Sequence, residues 1–185
     1  MPVVISLLRA VNVGGHGVIK MADLRSLCES LRLKDVQTYV QSGNIVFRTD
    51  EKDMAKLAQR IQEAITKKFG VTTGVMLRTA EDMREVVARN PFPKQSKTEP
   101  AKLHVSFLEA KLTPEAHKQL RALPLAVEKL VPSGRELFIY FPNGAGKSKL
   151  PWAKVDKICT TRGTARNWNS VMQLLEMAEA LEKQK

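Results

Sequence analysis

Arg166-Asn167-Trp168-Asn169 sets a guanidinium, two carboxamides and an indole N–H side by side, directly ahead of an amphipathic segment. These groups supply hydrogen-bond donors and positive charge. The first N–H groups of a helix have no intrahelical partner, so such a stretch at a helix start suits an anion. None of the four side chains exchanges protons near neutral pH, so the stretch points to binding and not to acid–base chemistry. Each residue also has a plainer role open to it. Asn167 or Asn169 suits an N-cap, and Trp168 suits a core. Arg166 can pair with a local carboxylate or stack on Trp168.

Two glycine-containing segments carry related chemistry. Arg9-Ala10-Val11-Asn12-Val13-Gly14-Gly15-His16-Gly17 follows the apolar run Val3–Leu8. Successive glycines allow neighbouring N–H groups to converge on one anion. The spacing G-G-x-G, with no acidic residue ending the next strand, does not match a dinucleotide fingerprint. Asn143-Gly144-Ala145-Gly146-Lys147-Ser148 resembles the end of a P-loop. That motif needs glycine five positions before Gly146, where Phe141 stands, and Pro151 follows too soon for its helix. An ATPase is excluded on this segment, while Lys147 and Ser148 still suit phosphate contact. No Ser–His–Asp or Cys–His arrangement follows from the positions of His16, His104 and His117.

The elements that must position these groups are legible from periodicity. Val3–Leu8 reads as a buried strand, and Met21–Leu31 has helical apolar spacing. Val36–Gln41 and Ile45–Arg48 alternate as strands about a Ser42-Gly43-Asn44 turn. Met54, Leu57, Ala58, Ile61 and Ile65 share one helical face, and Gly74–Arg78 is a fourth strand. The order βαββαβ predicts a ferredoxin-like unit over residues 1–89. In its sheet order the loop after strand one and the turn after strand two lie on one edge. Arg9, Asn12, Gly14, Gly15, Gln41, Ser42 and Asn44 are thus expected to face one pocket.

Thr79 with Asp82 resembles a capping box at the start of a short helix. Asn90-Pro91-Phe92-Pro93 breaks that helix, so residues 90–101 read as a linker. A second, related α+β half is expected over 102–185. It comprises a strand Lys102–Leu108, a helix from Thr113-Pro114 to about Leu123, strands Ala126–Val131 and Glu136–Phe141, a basic helical piece Trp152–Ile158 and a last helix after Asn167. The two halves repeat an order of elements without visibly repeating residues. A cleft between them is the expected ligand site.

Charge bounds the partners. The chain of 185 residues carries +11, and residues 143–167 hold six cations against Asp156 alone, a net +5. Such a face concentrates phosphate-bearing ligands, or simply keeps the protein soluble. Aromatic content is 5%, and Ile45–Arg48 lacks the aromatic pattern of base-stacking sheets. Nucleic acid would therefore be held by its backbone. Cys28 and Cys159 form neither a disulfide framework nor a zinc cluster; Cys28 falls on an apolar stripe with Met21, Leu24 and Leu31, as a core thiol does. The opening apolar run stops at Arg9, too early for a signal peptide, and no run of about 20 apolar residues could span a bilayer. A cytoplasmic protein without a membrane partner is expected.

Several segments together resemble a bacterial family, the domain-of-unknown-function family numbered 1697. They are Leu7-Leu8-Arg9-Ala10-Val11-Asn12-Val13-Gly14-Gly15, Lys20–Arg25, Thr38–Phe47, Asn90-Pro91-Phe92, Ser148-Lys149-Leu150 and Thr164–Asn169. Ala10 stands where the resemblance leads one to expect glycine, and Ser170 where it leads to threonine. The resemblance implies a two-part α+β fold related to ferredoxin-like units; it brings no activity and no cofactor.

Three functions stay open on sequence. One is binding of a phosphorylated ligand, nucleotide or nucleic-acid backbone. A second is hydrolysis of phosphoryl or acyl-phosphate bonds, with Arg9, the Gly14-Gly15 loop and Asn44 as the chemical types, by analogy with other ferredoxin-like enzymes. A third is a protein–protein module.

Overall fold

A computed structural model describes residues 1–12 and 17–184. The chain forms two compact units, Met1–Arg84 with Gln173–Lys185, and Glu85–Met172.

The first unit runs β1 (Val3–Leu8), α1 (Met21–Ser30), β2 (Lys34–Tyr39), β3 (Asn44–Arg48), α2 (Met54–Phe69), β4 (Val75–Thr79) and the start of α3 (Ala80–Ala88). Its sheet has the order β2-β3-β1-β4, every neighbouring pair antiparallel. This is the ferredoxin-like arrangement expected. Val4, Leu8, Ile45, Phe47, Val75 and Leu77 point to one face and meet Leu24, Leu27 and Cys28 of α1 and Leu57, Ile61 and Ile65 of α2. All six residues of β1 are buried, as a central strand covered on both faces requires. Asp53 caps α2 by accepting from Lys56 N at 3.0 Å, and Gly70 ends it in the left-handed conformation.

The second unit runs α4 (Pro93–Thr98), β5 (Leu103–Leu108), α5 (Pro114–Arg121), β6 (Lys129–Ser133), β7 (Glu136–Tyr140), α6 (Trp152–Cys159), β8 (Gly163–Asn167) and the start of α7 (Trp168–Lys183). Its sheet has the order β6-β7-β5-β8. Thr113 caps α5 through Ala116 N at 3.1 Å, with Pro114 at the first helical position, as its sequence predicts. Residues 90–101 include α4 and the start of a 3-10 turn, Pro100–Lys102. Glu99 ties that turn to the sheet, accepting from Tyr140 Oη and Lys102 Nζ at 2.6 Å each. Residues 163–167 form an edge strand that periodicity does not show. Gly163 fits closely there: a Cβ would stand 2.7 Å from Leu108 Cδ2, which would have to turn aside, and 3.2 Å from Phe107 O.

With β8 in place the second unit is also βαββαβ, and residues do repeat between the units. Ile5 faces Arg78 in one sheet and Val105 faces Arg166 in the other. Arg78 Nη1 donates to the preceding carbonyl, Leu77 O, at 2.9 Å, and Arg166 Nη1 to Ala165 O at 2.8 Å. The next residue caps a helix in both. Thr79 and Asp82 form the expected reciprocal box (2.9 and 3.0 Å), and Asn167 Oδ1 accepts from Ser170 N at 3.0 Å. The shared pattern is a buried arginine followed by an N-cap at the end of the fourth strand.

Candidate functional site

In the first unit, β1 leaves the sheet at Arg9. Arg9 N donates to Gly74 O at 2.9 Å, and Arg9 O accepts from Thr73 Oγ1 at 2.6 Å. The backbone is thus held on both sides. The Arg9 side chain is exposed and makes no hydrogen bond or ion pair among the described residues.

Asn12 joins this loop to the β2–β3 turn. Its Nδ2 donates to Gln41 O at 2.7 Å and to Ile19 O at 3.0 Å, and its Oδ1 accepts from Ile19 N at 2.7 Å. One carboxamide therefore closes the loop upon itself and fastens it to the neighbouring turn. The turn is Val40–Gly43, with Asn44 opening β3. Leu8 N continues the ladder to Gly43 O at 2.9 Å. Gly43 has φ 76°, and a Cβ on it would stand 2.7 Å from Leu8 Cβ, so only glycine fits. Asn44 is fully buried and its Nδ2 donates to Tyr39 O (3.0 Å) and Ser42 Oγ (2.9 Å).

The backbone at this edge is unusual. Ala10, Asn12 and Val40 take positive φ (56°, 56° and 47°), alongside Gly17 and Gly43. Left-handed geometry is costly for alanine and more so for a β-branched residue. Such strain persists only where surrounding contacts impose it, and it concentrates at functional sites. Ala10 explains its own oddity in the sequence: glycine is the residue this conformation prefers.

The sheet edge thus brings together Arg9, Asn12, Gln41, Ser42 and Asn44. Arg9 and Gln41 are exposed, Asn12 and Ser42 half-buried. Gly14 and Gly15, which complete the expected pocket, lie outside the described residues, as does His16. Among the described residues the cluster holds no carboxylate, imidazole or thiol. Thr73, which braces Arg9, and Ile19, the partner of Asn12, were not anticipated. Neither belongs to a motif; each matters through a loop contact distant in sequence.

The second unit places the other candidates differently from one another. Arg166 is buried in β8, and Nη1 also donates to Thr164 Oγ1 at 2.8 Å. Burial pushes its pKa down to about 10, which leaves it charged at neutral pH. Trp168 is buried, Asn167 is the N-cap, and Asn169 is exposed. Lys147 is exposed at a 3-10 turn, Ala145–Lys147. Ser148 Oγ accepts from Leu150 N at 3.1 Å, and the next residue, Lys149, donates its N–H to buried Glu128 Oε1 at 2.7 Å. That bond holds the Glu128 carboxyl below its usual range. No group of three or more His, Cys, Asp or Glu that could hold a metal ion occurs among the described residues. None of the described helices is long and apolar enough to cross a membrane. Cys28 is free and buried, and burial pushes its thiol up to about 12, so it is no nucleophile.

Comparison with solved structures finds the conserved bacterial protein SP0830 from Streptococcus pneumoniae, with a TM-score of 0.71, 21% identity, and cover of 96% of this chain and 98% of that one. At that identity the likeness establishes the fold. No curated protein matches. The model of a family described as protein of unknown function (DUF1697) matches residues 1–138, taking in the Arg9–Asn12 loop and the Ser42–Asn44 turn. The chain belongs to the DUF1697 family.

Proposed function

We propose that the protein binds a phosphorylated ligand, a nucleotide or a nucleic-acid backbone, at the glycine-rich edge of its first unit. The observation that carries this is the Asn12 carboxamide, which fastens the Arg9 loop to the Val40–Gly43 turn at 2.7 Å. It holds the Arg9 loop, whose arginine side chain is exposed, to a strained, tightly turned backbone. A planar guanidinium is the side chain best matched to phosphate oxygens, and the glycines at 14, 15 and 17 suit a ring of N–H donors. Gln41 and Ser42 add neutral donors. The net charge of +11 would draw such ligands in. Lys147, Ser148 and Asn169 offer further donors in the second unit; Arg166, Asn167 and Trp168 would support binding through the fold around them.

Asn44 spends its amide N–H groups inside the turn, so no specific observation favours hydrolysis. A thermal-shift screen with nucleotides, phosphosugars and short oligonucleotides tests the proposal. A ligand present at ~100 times its dissociation constant adds ~2.7 kcal/mol of stability. Arg9→Ala should remove that shift while leaving the unliganded melting temperature unchanged. If Arg9→Ala keeps the full shift, the site is misplaced. If an oligonucleotide is the ligand, affinity should fall steeply with salt.

A further inference from the structure

On the helical face of the second unit, α5 and α6 flank an open groove of ≈680 Å³ lined by Gln119, Ala122, Leu123, Lys154, Lys157 and Ile158. Its origin is a short helix. In the first unit the corresponding element, α2, has 16 residues; α6 has 8. An eight-residue helix spans only ~12 Å, so the layer over the sheet is incomplete. Leu123 and Ile158, which pack on the core beneath, become the apolar floor. Lys154 and Lys157 stand exposed at the rim, one turn apart on α6, and make no ion pair among the described residues. Lys118 and Arg121 in the last turn of α5 add positive charge.

The volume falls within the ~300–1,000 Å³ of small-molecule sites. A free phosphate would satisfy the ammonium groups and leave the floor wet. A neutral hydrocarbon would cover the floor and leave the rim cations without a partner. We propose that this groove binds a monomeric single-chain amphiphile with a carboxylate or phosphate head. The chain lies on Leu123 and Ile158, and the head meets Lys154 and Lys157. The site is separate from the Arg9 edge and does not depend on it.

Dodecyl phosphate, kept below the concentration at which it self-associates, is titrated into the full chain by isothermal calorimetry. One saturable site is expected. K154E/K157E should weaken it by about tenfold or more, through loss and reversal of two exposed ion pairs. The milder K154Q/K157Q should weaken it less, in a protein of unchanged melting temperature. Inorganic phosphate and dodecyltrimethylammonium should each bind at least about tenfold more weakly than dodecyl phosphate. Arg9→Ala should bind dodecyl phosphate as the parent does, which separates this test from that of the first unit. Absence of saturable binding, equal affinity in both lysine variants, or equal affinity for inorganic phosphate overturns the proposal. So does binding to anionic phospholipid vesicles with none to the monomer, which would make the face a membrane contact.

Discussion

Replacing Asn12 tests whether one side chain organises the candidate edge. Asn12→Gly removes three hydrogen bonds, two donated and one accepted, while glycine accepts φ 56° without strain. Each bond contributes ~0.5–1.5 kcal/mol net. Asn12 is half-buried and water can replace the more exposed bond to Gln41 O, so the lower part of that range applies. A loss of ~2 kcal/mol follows. Asn12→Ala loses the same bonds and must also hold an alanine in the left-handed region, a further ~1 kcal/mol. For a chain this long ~1 kcal/mol lowers the melting temperature by ~2–4 °C. Asn12→Gly should therefore melt ~4–8 °C below the parent, and Asn12→Ala lower still. Urea unfolding followed by circular dichroism gives the free energies, and calorimetry shows whether the first unit melts separately. The reasoning fails if Asn12→Gly lies within ~0.5 kcal/mol of the parent, the scatter of an ordinary surface substitution, or if alanine is no worse than glycine.

Other outcomes follow from the same geometry. Ala10→Gly relieves positive φ at an exposed position and should stabilise the protein by about 1 kcal/mol in urea melts. Arg166→Ala should destabilise by about 3 kcal/mol, as expected for truncating a large buried side chain that makes hydrogen bonds; a variant as stable as the parent would return Arg166 to the role of a ligand residue. His104 stacks edge-on against Phe141 at 5.2 Å, and burial lowers its pKa below 6.5. Below that value the unfolded chain binds more protons than the folded one, so stability present above pH 6.5 is lost as pH falls through the folded pKa. The stability of the parent relative to His104→Leu should therefore fall on acidification below pH 6.5, measured by urea melts at each pH.

Much of the frame was legible because local periodicity dictates it. Val3–Leu8, the α2 stripe of Leu57, Ile61 and Ile65, and the Thr79–Asp82 and Thr113–Pro114 caps lie where the sequence predicts. Each rests on residues within one turn or one pleat of each other. Strand β8 was not legible. Gly163-Thr164-Ala165-Arg166-Asn167 has no apolar alternation and only one strand-favouring residue, Thr164, and it is a strand because β5 pairs with it along its length. Without β8, Arg166 reads as the approach to a helix when it is a buried strand residue.

The candidate edge shows the same division. Sequence alone marked Arg9, Asn12 and the Ser-Gly-Asn turn as polar groups at a glycine-rich loop, since glycine and carboxamides announce turns by their own conformational preferences. Sequence also set the charge and the βαββαβ order of the first half, which follow from composition and spacing. Only tertiary structure decided what each polar group does. Asn12 ties together segments 29 residues apart, Thr73 reaches Arg9 across 64, and Asn44 turns inward while Arg9 faces solvent. Whether a donor is consumed or left exposed depends on which distant carbonyl stands within 3 Å of it, and that distance is created by the packing of the sheet.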